Sequence, residues 1–342
     1  MELILSHPDP FPKRDKSIWP IFLPFAGCKQ RCVFCAQDLS TGQAKVGEIK
    51  LFVQNELQKL KLMTRENGRV YGLGFFGGTF TGLDLSLQAW ILERASQLRW
   101  QGVIDFICFS TRPDRIEQEN VALLKEYQVD LVELGIQSFN SGVLLKSKRG
   151  YTVEAILKTV GLLKQAGLNY GFQLLPGLPG HSLESFWEDL RWTLILRPKT
   201  IRIYPCLVLD NTLLARWYHN QEYTPWSLDK TIYALGLGLV KLWSARINVL
   251  RLGLTPEKSL VSNILAGPWH PSLGFLVRSF ALNYYLRSKL SLRSRLPKRA
   301  IIPKRYYAEW IGYKRKFLSE WTKLIPLAQI KQGEGKDFIF AY

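Results

Sequence analysis

The stretch Phe25–Gly42, FAGCKQRCVFCAQDLSTG, holds three of the chain's five cysteines within eight residues. Cys28, Cys32 and Cys35 form a C-x3-C-x2-C pattern with no fourth partner nearby. A zinc site wants four ligands, usually as two paired sets. The other candidates, Cys108, Cys206 and four isolated histidines, have no paired spacing. A disulfide would leave one thiol over, and an odd cysteine count is not a secreted disulfide framework. An iron–sulfur cube normally takes four cysteines, so three leave one iron open. An open metal position can take a substrate. We favour the cube over zinc or a redox pair.

Outward from this loop, short apolar runs alternate with helical patterns. The strand candidates are Ile21–Phe25, Val70–Phe76, Ile104–Ser110, Val129–Gln137, Tyr170–Leu175 and Thr200–Val208. Each is almost continuously apolar, as parallel strands covered on both faces are. Between them, helices are predicted over 48–63, 86–99, 116–127, 153–167 and 183–197. In the fourth of these, Ile156, Val160, Leu163 and Gly167 share one face, and Gly167 marks the stop. Six alternations predict a parallel α/β sheet, doubly wound or barrel-like. In either, ligands collect at the C-terminal ends of the strands. The cysteine loop and the segments GGTFTG, STRPD, QSFN, PGLPG and YPCL all fall there. Beyond about residue 212 the alternation fades into a helix over 228–245, a strand within INVLRLGL and a basic, aromatic tail.

The 342 residues are 47% hydrophobic and 22% charged, the balance of a chain with a real core. The net charge is +18, and twelve Lys and Arg against two Glu between Leu286 and Lys323 supply ten of it. Such density suggests an anionic partner, although a solvated face on a basic protein explains most charge runs. The N-terminus lacks a cationic start with a long apolar run, so no signal peptide is expected. No apolar run is long enough for a membrane span. A reducing cytoplasm is the expected location.

With Phe34 before its third cysteine, the C-x3-C-x2-C loop resembles that of the radical S-adenosylmethionine (SAM) enzymes. FFGGTFTGL, STRPDRI, VELGIQSFNSGVL, KRGYT, FQLLPGLPG and IRIYP follow in the order of one branch. That branch is shared by the Elongator catalytic subunit and oxygen-independent coproporphyrinogen III oxidase, with the Elongator side nearer. The resemblance covers roughly 21–253 and is specific as a set. It implies a partial (β/α)6 barrel over 1–253, followed by a basic, α-rich C-terminal extension over 254–342. It also implies a 4Fe–4S cluster on Cys28, Cys32 and Cys35, whose open iron chelates SAM. One-electron cleavage of SAM then gives a 5′-deoxyadenosyl radical. The reductant implied is a flavodoxin- or ferredoxin-like electron donor. The Elongator subunit continues into an acetyltransferase domain, which is not expected within this chain.

Residue by residue, Gly77, Gly78 and Thr79 match the glycine motif whose backbone receives the SAM amino group. Without a Cβ the backbone can approach a ligand closely, although any strand-to-helix turn can carry two glycines. Ser110, Gln137, Arg149 and Gln173 match SAM-binding positions of the oxidase branch. Arg149 suits a carboxylate through its guanidinium fork, and its bland reading is a surface arginine after a helix. Ser110 stands where the oxidase has an acidic residue, which leaves its ribose contact open. Glu133 is expected to be buried and paired with Arg112 or Arg202. Cys108 and Cys206 are expected in apolar strands as core. His270, in GPWHPSLG, is read as a turn residue.

The tail interleaves cations with Tyr306, Tyr307, Trp310, Tyr313 and Trp321, a composition that could track phosphates and stack on bases. Yet Trp310, Tyr313, Phe317 and Trp321 share a helical spacing, so the aromatics are read as core and the cations as a candidate RNA or tRNA surface. The expected function is therefore a radical SAM enzyme acting on an unidentified substrate, with RNA a candidate. The alternative is a non-catalytic RNA-binding or interaction protein that keeps a structural metal.

Overall fold

The structure, a computed structural model, describes residues 2–11, 17–41 and 46–342. Part of the N-terminal stretch read for a leader lies outside the described residues. The chain divides into two compact units. One comprises Lys13–Trp226 with Leu254–Gly267, and the other Met1–Pro12, Ser227–Gly253 and Pro268–Tyr342.

The first unit is built on six strands: β1 (Ile18–Phe22), β2 (Tyr71–Phe76), β3 (Ile104–Thr111), β4 (Leu131–Gln137), β5 (Tyr170–Leu174) and β6 (Thr200–Ile203). They pair in sequence order, all parallel, as a curled half-barrel sheet. Helices Ile49–Asn67, Leu85–Trp100, Gln118–Glu126, Val153–Gln165 and Leu183–Leu196 fill the predicted positions. Thr152 and Ser182 cap the last two by accepting from Ala155 N and Ser185 N, which satisfies backbone donors that a helix start leaves free. β4 is buried at every position except its last, as its apolar run requires.

Two strands, the first and the last, differ from expectation by more than two residues. β1 stops at Phe22 rather than Phe25, because Pro24 has no N–H for the ladder and Phe25 takes φ +62° as the chain turns into the cysteine loop. The last run stops at Ile203 before Pro205. Its remainder, Val208–Leu209, pairs antiparallel with Ile264–Ala266.

The second unit contains helices Leu228–Ser244 and Leu273–Leu290 and a four-stranded sheet. Glu2–Leu5 pairs antiparallel with Phe338–Ala341, which pairs antiparallel with Arg299–Pro303, which pairs in parallel with Ile330–Gly333. Leu282, Leu286, Ile302, Trp310, Trp321, Phe338 and Phe340 form its core. The helical spacing of Trp310, Tyr313, Phe317 and Trp321 does not correspond to one helix. Tyr307–Ile311 and Leu318–Thr322 are separate short helices, split by Gly312 and by positive φ at Lys314 and Arg315. Trp310, Phe317 and Trp321 are buried nonetheless, whereas Tyr313 is 42% exposed.

Candidate active site: a thiol loop closed by a glycine loop

β1 ends at Phe22 and the chain turns at once into the cysteine loop. Backbone bonds hold the turn: Ala26 N donates to Leu23 O, Cys28 N to Phe25 O and Cys35 N to Cys32 O. The loop after β2 closes against it, with Phe25 N donating to Gly77 O and Thr79 N to Ala26 O at 2.8 Å. Contact is so close that side chains are excluded. A Cβ on Gly78 would stand 2.3 Å from Ala26 O, and one on Gly27 would stand 2.2 Å from Thr79 O. The missing Cβ of Gly78 thus makes room for the cysteine loop, where the sequence reading assigned that space to a ligand.

The Cys35 thiol lies close enough to feel the other two. Burial, and then the charges that Cys32 and Cys28 would carry, push the Cys35 thiol up to about 12, against the pull of Arg149 and Arg31. Each has its own surroundings. Cys28 Sγ lies 3.1 Å from Thr79 Oγ1. Cys32, the buried one of the three, receives Arg149 Nη1 at 3.0 Å. Arg31 Nε donates to Cys35 O at 3.2 Å while its guanidinium covers the Phe25 ring. Among the described residues no three His, Cys, Asp or Glu side chains converge as the ligands of a single ion do. A four-iron cube takes each thiolate at a separate corner. Three cysteines on one pinned loop suit that demand, since cationic iron would offset the charge that neighbouring thiolates bring to Cys35.

Arg149 is no surface residue. It is 5% exposed and follows helix Ser141–Lys146. Besides Cys32, its fork donates to Tyr151 Oη through Nε and to Gly135 O through Nη2. The space a Cβ on Gly135 would take lies 3.1 Å from Gln137 Nε2 and 3.6 Å from Arg149 Nη2. Gln137 ends β4 at φ +71°, after a register shift. Gln137 and Arg149 therefore gather beside the thiol loop. Ser110, at the end of β3, shares a cleft with Ala26, Gly78, Thr79 and Phe80.

Gln173 is placed differently. Its Nε2 donates to Glu133 Oε2 at 3.0 Å, and Glu133 also takes Arg202 Nε and Nη2 at 2.6 and 2.8 Å. Of the two partners foreseen for Glu133, Arg202 is the one used, and Arg112 instead grips Asp114 at 2.9 and 3.0 Å. Cys108 and Cys206 are buried, the latter in the segment between strands. Burial pushes both thiols up, Cys206 to about 12. His270 makes a turn, its Nδ1 accepting from Ser272 N at 3.0 Å.

Two features escaped the sequence reading. Tyr151 lies in the quoted KRGYT segment, two residues after Arg149, and its role shows only once that arginine is seen to be buried. His181 follows PGLPG and was passed over as an isolated histidine. It bonds Asp189 at 3.0 Å and accepts from Gly177 N, while Asp189 takes Ser138 Oγ and Phe139 N. This buried network pins the loop after β5. Asp189, on the face of helix Leu183–Leu196 that also carries Phe186, Leu190 and Thr193, was the available signal.

The radical SAM superfamily model matches residues 22–193, and the radical SAM C-terminal domain model matches 198–281. The chain belongs to the radical SAM superfamily. It is a radical SAM enzyme whose cofactors are a 4Fe–4S cluster and SAM. The tRNA uridine(34) acetyltransferase of Methanocaldococcus jannaschii is 31% identical over 46% of this chain and 32% of its own length. The oxygen-independent coproporphyrinogen-III oxidase-like protein HemZ of Bacillus subtilis is 26% identical over 58% and 40%. The chain thus spans about a third to two fifths of the length of these curated relatives. The archaeal Methanocaldococcus infernus Elp3 structure superposes with TM-score 0.59 at 22% identity, covering 82% of this chain and 64% of that one. The Elongator-like and coproporphyrinogen-oxidase-like branch is the one that the sequence motifs indicated. No described helix is long and apolar enough to cross a membrane.

Proposed function

We propose that this radical SAM enzyme holds its cluster on Cys28, Cys32 and Cys35 and acts on an RNA substrate. The observation that carries the site is the thiol loop, three cysteines on one pinned turn sealed by the glycine loop. Held by Cys28, Cys32 and Cys35, a cluster would supply the single electron for reductive cleavage of SAM, and SAM would supply a 5′-deoxyadenosyl radical for hydrogen abstraction or addition. The chain's own residues prepare the place. Gly77, Gly78 and Thr79 offer the turn beside Cys28, and Ser110 and Gln137 present polar groups at the ends of β3 and β4. Arg149 brings a buried cation for the carboxylate. Gln173, on β5 and held by Glu133, is kept as a SAM contact on the family motif alone.

Two observations support RNA. All twelve Lys and Arg between Leu286 and Lys323 are exposed, and the M. jannaschii relative is named for its action on a tRNA uridine. An electron donor of the flavodoxin or ferredoxin kind completes the reaction. The test is anaerobic reconstitution with iron and sulfide, an electron paramagnetic resonance spectrum, and assay of 5′-deoxyadenosine with and without bulk tRNA. We expect SAM cleavage in the reduced protein and more of it with tRNA. Full iron content without any 5′-deoxyadenosine would overturn the reaction, and cleavage indifferent to RNA would overturn the substrate class.

A further inference from the structure

We infer that Arg149 is a positioning residue of the cluster itself: its guanidinium donates to the Cys32 sulfur and makes the cluster easier to reduce. This rests on the assignment of Cys32 as a ligand and deepens it. The contact is direct, 3.0 Å from Nη1 to Sγ, and is buried at both ends. Cys32 is the buried cysteine of the three, and the Arg149 fork reaches its sulfur directly. A charged donor to sulfur stabilises a thiolate.

The fork is not free to turn away. Nε is held by Tyr151 Oη at 2.8 Å and Nη2 by Gly135 O. Tyr151 in turn donates to Gly135 O at 2.7 Å, so one carbonyl of β4 anchors both side chains. Burial pushes the Tyr151 hydroxyl up to about 12, so it stays neutral and does not cancel the arginine's charge. Arg112, whose guanidinium also faces the Tyr151 ring, spends its own charge on Asp114.

The redox consequence follows from charge. Reduction adds one electron and no proton, so the cluster becomes one unit more negative. A fixed cation against a ligand sulfur favours that state over the oxidised one, and hydrogen bonds to cluster sulfurs are known levers on potential. An arginine has five N–H groups, and the three contacts described use three of them. Donors thus remain for a SAM carboxylate, and the two roles separate when the potential is measured without SAM.

The experiment takes wild type, Arg149→Lys, Arg149→Gln and Tyr151→Phe, each reconstituted anaerobically without SAM. Iron and sulfide are counted first. Potentiometric titration with dithionite, followed by electron paramagnetic resonance, then gives the midpoint. We expect Arg149→Gln to shift the reduction equilibrium at least tenfold toward the oxidised state, 59 mV for a one-electron couple. Arg149→Lys keeps the charge but not the fork, so it should recover part of the loss. Tyr151→Phe should shift the midpoint less, in the same direction, and exposed Arg31→Gln less still. A fully loaded Arg149→Gln protein with the wild-type midpoint would overturn the inference. Should that variant fail to load, unshifted midpoints in both Arg149→Lys and Tyr151→Phe would overturn it equally. Wild type that binds no iron would instead sink the ligand assignment beneath it, and the iron count reveals that before any potential is read.

Discussion

The half-barrel and the basic segment bury opposite kinds of residue. In the half-barrel, polar groups go inside: Arg149, Glu133, His181 and Asp189 are each at most 5% exposed, and each has partners. A buried charge is tolerated only when paired and hydrogen-bonded, so these networks fix side chains at definite points around the strand ends. Between Leu286 and Lys323 the arrangement is reversed. Every Lys and Arg is exposed, and Trp310 and Trp321 lie fully inside. Buried charge positions chemistry, whereas exposed charge offers a surface that recognises by field alone.

The comparison breaks most visibly at the thiols. Replacing Cys28, Cys32 or Cys35 with Ala should remove nearly all cluster iron, since each thiolate holds one corner. Cys108→Ala and Cys206→Ala should keep full iron content, because both thiols are buried core. Iron and sulfide analysis of the reconstituted variants checks this, and iron lost with Cys108 or Cys206 would break the division between site and core.

On the other side, the aromatic core should answer in stability. Trp310 and Trp321 have ring centroids 5.2 Å apart, and Trp321 Nε1 donates to Asn283 Oδ1 at 2.5 Å. Trp321→Ala should cost about 3–5 kcal/mol, leaving a cavity and depriving Asn283 Oδ1 of its donor. Thermal unfolding measures it. A variant as stable as wild type would mean that these rings are available for bases after all.

A smaller effect tests the loop closure. Gly78→Ala puts a methyl against two backbone carbonyls that cannot rotate away. Overpacking of this kind costs roughly 1–3 kcal/mol. Iron loading should fall with it, as the thiol loop is pushed from its pinned turn. Unchanged stability and loading would return Gly78 to a purely ligand-facing role.

The same contrast explains what was legible in the sequence. Apolar runs announced β2, β3, β4 and β5 to within two residues, because a strand covered on both faces has no polar alternation to confuse. The thiol loop was legible from spacing alone. Partnerships were not: KRGYT and PGLPGH do not tell that Arg149 points at Cys32, or that His181 meets Asp189 eight residues on. These contacts depend on how separate strands lie side by side. The tail's sheet was hidden for another reason. Its strands RAIIP, IKQG and FIFA are four or five residues long, too short for a periodic signal. The kink at Lys314 and Arg315 breaks a helical pattern that the aromatics appear on paper to continue.

The subtlest prediction concerns the exposed cations, since it should move neither stability nor iron. Lys298, Arg299, Lys304 and Arg305 are all exposed around the strand Arg299–Pro303. Their ion pairs are weak: Arg299 reaches Glu2 at 3.8 Å and Lys304 reaches Glu334 at 3.6 Å, both in the open, where such pairs contribute about 0–1 kcal/mol. They are therefore free to exchange these partners for phosphate. Phosphate neutralisation releases counterions, so affinity for RNA must fall steeply with salt, by about 0.7–0.9 in logarithmic slope per phosphate contacted. Reversing all four to Glu should flatten the slope by roughly 3 if each touches a phosphate. Filter binding of bulk tRNA at several salt concentrations gives both slopes, with iron content and SAM cleavage measured on the same samples. Equal slopes in wild type and variant would leave this face a solvated surface and move RNA recognition elsewhere. A flattened slope with cleavage intact would tie field-based recognition to this segment and leave the chemistry with the buried charges of the half-barrel.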